Sequence, residues 1–190
     1  MKKILIISDG IPGHFNQSKG VASLLSNKHS LETRIIDLQF RSYHLRGLIT
    51  ACSRLLLRFP SLSTAKIISF LYKKIDTTGL DLIIAAGGKT APYTAVLKIL
   101  KKIPVIQLGS PRGLHSSLFD ALVTVERYYE DSSNIIASIT PSLYSPQVCE
   151  QAAKDKGLNE HLLFLIGGEG IGYSFKEDEW EYLILSLIHI

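Results

Sequence analysis

Cysteine is almost missing from this chain. The two present, Cys52 and Cys149, are too far apart for a metal-ligand spacing and too few for a disulfide framework. That usage fits a reducing compartment, so a cytoplasmic location is expected. Long apolar runs are missing as well. No stretch of about 18 uninterrupted apolar residues occurs, and no transmembrane helix is expected. The opening MKKILIISDG is cut off by Asp9 and Gly10 before it could form a signal peptide. The sequence has no G-x-x-x-x-G-K-[ST] phosphate loop, no G-x-S-x-G elbow and no G-x-G-x-x-G after its first apolar run. These gaps count against a Walker-type nucleotidase, an α/β-hydrolase and an NAD-dependent enzyme. No cofactor and no metal are expected. The net charge of +4 comes with no Lys/Arg stripe interleaved with aromatics, so no nucleic-acid partner is expected.

What is present is regular. Hydrophobic residues make up 46% and charged residues 20%, which suits a packed chain rather than a disordered one. Apolar runs at Lys3–Ser8, Leu31–Leu38, Leu80–Ala86, Pro104–Leu108, Phe119–Val125, Asn134–Ile139 and Leu162–Ile166 predict strands. Helical patterns are predicted at Asn16–Ser26, Arg41–Phe59, Leu62–Ile75, Thr90–Lys101 and Pro146–Lys156, and again from Glu177. Pro60 breaks the second from the third, and Gly157 closes the fifth. Alternation at this spacing predicts an α/β fold: a Rossmann-like parallel sheet with helices on both faces. A domain boundary is expected between Lys156 and Leu162, with the first domain ending near residue 158 and a second beginning at 159.

In such a sheet, ligands bind beyond the carboxyl ends of the strands. Three strands end in loops that suit this. The first loop and the start of its helix carry Asp9, Gly10, Pro12, Gly13, His14, Asn16 and Gln17. Glycine permits close backbone approach, and a helix N-terminus offers free N–H groups to an anion. His14 is the candidate acid/base. Asn16 and Gln17 could bond sugar hydroxyls or cap the helix. The second loop, Gly87, Gly88, Lys89 and Thr90, combines a positive point charge with a hydroxyl at a helix start and suits phosphate. The third brings Arg112, whose guanidinium can grip a phosphate or carboxylate with two parallel bonds. Each also has an ordinary reading, as a turn, a cap or a solvated cation. Asp120, at the head of the fifth strand, reads as a capping carboxylate. Gly167 and Gly168 follow the last predicted strand and would open a loop of the second domain.

The segment Arg41–Ile75 contains seven Lys/Arg and no Asp or Glu. Leu45, Leu48, Ile49, Cys52, Leu55, Leu56 and Phe59 form one stripe at helical spacing, with Arg46, Arg54 and Arg58 off it. Two readings follow: a basic amphipathic helix on an anionic membrane surface, or a helix packed on the sheet by its apolar stripe with a solvated basic face.

Five segments, in order, carry a family resemblance: DGIPGHFNQ (Asp9–Gln17), DLIIAAGGKTAP (Asp81–Pro92), PVIQLGSPR (Pro104–Arg112), FDALV (Phe119–Val123) and LIGGEG (Leu165–Gly170). Together they resemble the mitochondrial fission (elongated-mitochondria) family, named for a plant mitochondrial-fission factor and widespread in bacteria. The resemblance implies a glycosyltransferase-like, GT-B-like architecture of two facing Rossmann-like domains. It also implies a nucleotide-sugar donor and a sugar acceptor that could be lipid-linked at the inner membrane face. Two positions depart from the family's pattern. Glu126-Arg127-Tyr128-Tyr129-Glu130-Asp131 stands where a histidine-aspartate pair is expected, and Lys89 where an arginine is commoner. On this reading most of the second domain is missing, and the fragment itself is expected to be inactive. The last six residues, LSLIHI (Leu185–Ile190), back-translate to CTG TCT CTT ATA CAC ATC, the end of a transposon adapter used for sequencing libraries. They are expected to be a scar, the other reading being an apolar helix end continuing from Trp180.

Overall fold

The structure, a computed structural model, describes residues 1–157 and 176–188. The strand expected at Leu162–Ile166 and the loop with Gly167 and Gly168 lie outside the described residues. The chain forms two compact units, Met1–Pro146 and Gln147–Ile190.

The first unit is built on six parallel strands: β1 (Lys2–Ser8), β2 (Leu31–Asp37), β3 (Leu82–Ala86), β4 (Val105–Leu108), β5 (Ala121–Thr124) and β6 (Asn134–Ile136). Their order across the sheet is β2-β1-β3-β4-β5-β6, and every pairing is parallel. The helices α1 (Pro12–Ser26), α2 (Arg46–Leu56), α3 (Leu62–Leu71) and α4 (Ala91–Lys101) connect the first four strands. The predicted Rossmann-like α/β sheet with helices on both faces is therefore what forms.

The central strands are apolar throughout because both sides are covered. Ile4 and Ile6 of β1 point to the α1 side and pack with Ala22, Ile84 and Leu108. Leu5 and Ile7 point the other way, into a larger core with Ile83, Val105, Ile68, Leu57, Tyr72 and Tyr93. The rings of Tyr72 and Tyr93 stack at 4.5 Å. In β2, the edge strand, only Leu31 and Ile36 are even half-buried, consistent with an edge strand that lacks a second neighbour.

Most predicted element boundaries hold within a few residues; two local differences have physical causes. The first helix starts at Pro12, not Asn16, because proline at the first helical position is pre-set for the helix. Asn16 and Gln17 are consequently in the second turn and are not caps. The third strand starts at Leu82 because Asp81 is occupied outside it: its carboxylate accepts from the Lys3 N–H at 2.8 Å and from Lys2 Nζ at 2.9 Å. Asp120 does staple a strand start. It accepts the Val105 N–H at 2.8 Å and pairs with Lys98 at 3.1 Å, at the amino end of the sheet.

The second unit contains most of α5 (Pro146–Asp155) and α6 (Glu177–Ile188). In α6, Glu177, Asp178 and Glu179 occupy the first turn, where negative charge complements the helix dipole.

Candidate functional site

The sheet order reverses beside β1: β2 lies on one side of it and β3 on the other. The chain leaves β1 for α1 on one face and leaves β3 for α4 on the opposite face, which opens a crevice between the two carboxyl ends. Such a switch point is where ligands of open α/β sheets bind. It falls between the loop at Asp9 and the loop at Gly87.

The first loop turns sharply. Gly10 has φ +81°, its N–H donates to Ser8 Oγ at 3.0 Å, and the Ile11 N–H donates to Asp9 Oδ1 at 3.2 Å. The early start of α1 at Pro12 then swings His14 back over Asp9. His14 Nδ1 lies 2.9 Å from Asp9 Oδ2, with the two side chains 32% and 1% exposed. A carboxylate so buried requires donors, and a proton on His14 Nδ1 would supply one. This is the arrangement of a histidine held as a general base by a buried acid. Both Asp9 carboxylate oxygens have partners within the loop, Oδ1 accepting from the Ile11 N–H and Oδ2 facing His14 Nδ1. The N–H groups of Gly13 and His14, in the first turn of α1, have no intrahelical partner by position.

Gly87 closes against this pair. Its φ is +88°, and a Cβ there would lie 2.3 Å from His14 Nδ1 and 2.9 Å from Asp9 Oδ2. Beneath it lies a buried polar network. Gln107 Nε2 donates to the Gly87 carbonyl at 3.1 Å, Thr90 Oγ1 donates to the same carbonyl at 2.8 Å, and Thr94 Oγ1 donates to Gln107 Oε1 at 3.2 Å. The Thr90 hydroxyl is fully buried and also donates to the Ala86 carbonyl. It holds the backbone of the loop that carries Gly87 and Gly88.

Gly88 sits under two guanidinium groups. A Cβ there would lie 2.9 Å from Arg112 Nε and 3.0 Å from Arg54 Nη2, and Arg54 Nη2 donates to the Gly88 carbonyl at 2.6 Å. Burial first, and the neighbouring Arg112 second, push the Arg54 guanidinium below its ordinary pKa. Lys89 is exposed beside them, and Arg112 holds a left-handed backbone at φ 54°. Gln17, with Gly109, Ser110, Thr124 and Glu126, lines a cavity of about 250 Å³ at the ends of β4 and β5. Asn16 is half-buried on α1. Among the described residues, no three His, Cys, Asp or Glu side chains come together as a metal group.

Of the two readings of α2, its orientation does not fit the one in which the apolar stripe packs on the sheet, since of that stripe only Ile49 is buried. Its buried residues are Ile49, Thr50 and Ser53, followed by Leu57. Leu45, Leu48, Leu55, Leu56 and Phe59 are exposed, Phe59 by 81%. The three arginines also part company. Arg54 turns inward to Gly88, Arg46 stacks on the Tyr43 ring at 4.3 Å, and Arg58 lines an open cavity with His115, Glu130 and Asp131. No helix among the described residues is long and apolar enough to cross a membrane.

Sequence reasoning singled out His14, Gly87, Gly88, Lys89 and Arg112, which the structure gathers around the loop after β3, but missed Gln107 and the inward turn of Arg54. A glutamine within the apolar run PVIQL was the available sign, since a buried amide in a central strand has to be satisfied by something nearby. No curated protein and no solved structure matches the chain. The family profile described as Mitochondrial fission ELM1 matches residues 12–190, nearly the whole chain, and the chain belongs to that family.

Proposed function

We propose that this chain belongs to a GT-B-like glycosyltransferase, taking a sugar from a nucleotide donor to an acceptor hydroxyl. The observation that carries the reading is the Asp9–His14 pair at the switch point between β1 and β3. His14 Nε2 takes the proton from the acceptor hydroxyl as its oxygen bonds to the anomeric carbon. The bond from that carbon to the donor's phosphate oxygen breaks, and the nucleoside diphosphate leaves. Backbone N–H groups of the loops at Gly10 and Gly87 hold the donor's phosphate, and catalysis is mainly positioning and charge stabilisation. In the full-length protein, His14→Ala is expected to abolish transfer while the far-ultraviolet circular dichroism stays unchanged. Wild-type turnover in that variant removes His14 from the mechanism.

A second reading is favoured by a different observation. The outward faces of α2 and α3 expose Leu48, Leu55, Phe59, Leu62, Ile67 and Phe70 on a segment with no acidic residue. An apolar surface with a basic rim suits the face of an anionic bilayer, and a non-enzymatic peripheral membrane factor would use it. Liposome flotation tests this. Flotation that needs anionic lipid and is lost in Leu48→Glu/Phe59→Glu supports it, and flotation indifferent to both overturns it.

A further inference from the structure

Arg54 was grouped by sequence with the solvated face of α2, yet it is the one arginine of that helix that reaches the loop after β3. Its surroundings are unusual for a structural arginine. One nitrogen is spent on the Gly88 carbonyl, while Nε is out of solvent contact and has no hydrogen-bond partner. Arg112 Nε and Arg54 Nη2 each lie about 3 Å from the same point above Gly88, so the two cations are within about 6 Å of each other. Among the described residues neither makes an ion pair, since every salt bridge of the first unit lies elsewhere.

Between α2 and this loop is a cavity of about 270 Å³ whose lining includes Phe40, Arg46, Thr50, Arg54 and Lys89, three cations and no acid. Like charges gathered at a half-buried place repel, and an unpartnered buried N–H costs free energy. An anion with several acceptor oxygens relieves both. The volume lies just under the roughly 300 Å³ at which small-molecule sites begin. That is room for a phosphate or diphosphate group and too little for a whole nucleotide.

We infer that Arg46, Arg54 and Lys89, with Arg112 within about 6 Å of Arg54 across Gly88, form a binding site for a terminal phosphate or diphosphate group, distinct from the crevice at His14. The site deepens the transferase reading by giving the acceptor a phosphate handle, but it stands whether or not transfer occurs. The phosphate belongs either to a free molecule or to a lipid headgroup, and the chemistry that recognises it is shared.

The test is binding by the 190-residue chain. Isothermal titration with inorganic pyrophosphate forms one arm. Sedimentation with phosphatidylcholine vesicles carrying phosphatidic acid or, at matched surface charge, phosphatidylserine forms the other. Pyrophosphate binding that weakens roughly ten- to hundredfold in Arg54→Gln and in Arg112→Gln, and falls with added salt, supports the site with a free ligand. Preference for phosphatidic acid over phosphatidylserine, lost in the same variants, supports it with a lipid. No pyrophosphate binding together with no such preference overturns the proposal, as does binding unchanged in both variants. Arg54→Gln loses a bond to the Gly88 backbone, so its thermal melt is recorded alongside. Arg112→Gln and Lys89→Gln remove no side-chain hydrogen bond among the described residues, and they decide the matter if Arg54→Gln does not fold.

Discussion

Replacing Gly87 with alanine tests the site through a single methyl group. Gly87 sits at φ +88°, and its missing Cβ would fall 2.3 Å from His14 Nδ1, 2.6 Å from His14 Cε1 and 2.9 Å from Asp9 Oδ2. A left-handed backbone at a non-glycine residue costs about 1–2 kcal/mol. The overlap adds to this, because imidazole and methyl cannot share the space. If His14 yields, the buried Asp9 carboxylate loses its ring partner, and a hydrogen bond to a charged group is worth about 1.5–3 kcal/mol. Together Gly87→Ala is expected to cost roughly 2–5 kcal/mol. Urea denaturation measures the loss, and nitrogen-15 NMR of the His14 ring reports whether Nδ1 still carries the proton shared with Asp9. Gly88→Ala is the control. It has no positive φ, and its Cβ would meet the movable side chains of Arg112 and Arg54, so it should cost less and leave the His14 resonances in place. Gly87→Ala with stability within about 0.5 kcal/mol of wild type and an unchanged His14 ring would refute the packing of histidine, aspartate and glycine described above.

Four further outcomes are expected. Gln107→Leu removes the amide that bridges the Gly87 carbonyl and Thr94, and should lower stability by about 1–3 kcal/mol in urea titrations. Gly20→Ala, a change that normally strengthens a helix by up to about 1 kcal/mol, should weaken this protein instead, because the added carbon falls 2.7 Å from the Ser142 backbone; differential scanning calorimetry reads the sign. Burial pushes the phenols of Tyr93 and Tyr129 up to about 12, with the Tyr72 phenol adding at Tyr93 and the Asp131 carboxylate at Tyr129. The unfolded chain then ionises first, so stability should be constant below about pH 10 and fall as pH rises through 12, as alkaline denaturation followed by tyrosinate absorbance would show. Leu57→Ala, at a fully buried position, should cost about 2–5 kcal/mol, whereas Leu55→Ala on the exposed face should cost no more than about 0.5 kcal/mol. Equal losses would mean that α2 packs by its other side.

Much of this fold was legible because both faces of its sheet are covered. Runs such as ILII and LIIAA carry no polar interruption, and a fully buried parallel strand writes itself into sequence that way. The glycine loops after the first, third and fourth strands were legible for the same reason, since they end those runs. What sequence could not supply was adjacency. That β3 lies beside β1 follows from the sheet order, which no local pattern encodes, and this neighbourhood is what sets Gly87 against His14. The partnership of His14 with Asp9, five residues apart, depends on a turn at Gly10 that is tight enough for α1 to begin at Pro12. Had the helix begun at Asn16, His14 would have been in a loop with no fixed direction.

The two readings of α2 stayed open in the sequence for a reason that bears on function. Periodicity identifies an apolar face but not what covers it, and the default partner is the domain's own core. Here the core side of α2 is made of Ile49, Thr50, Ser53 and Leu57, a narrower and more polar set than the stripe it presents outward. A helix that packed only for stability would put its larger apolar face inward, because burial of that face is worth more. That this one does the reverse, while sending Arg54 to the loop after β3, argues that α2 serves more than the fold. On the proposal made above, the inner face supplies Arg54 to the cavity beside Lys89, and the outer face carries the exposed leucines. A ligand whose phosphate occupies the first and whose hydrocarbon meets the second would engage both at once. Vesicles bearing phosphatidic acid therefore test more than the charge of the cavity: if one such ligand spans the helix, Phe59→Glu and Arg112→Gln should weaken vesicle binding together, while pyrophosphate binding should respond to Arg112→Gln alone.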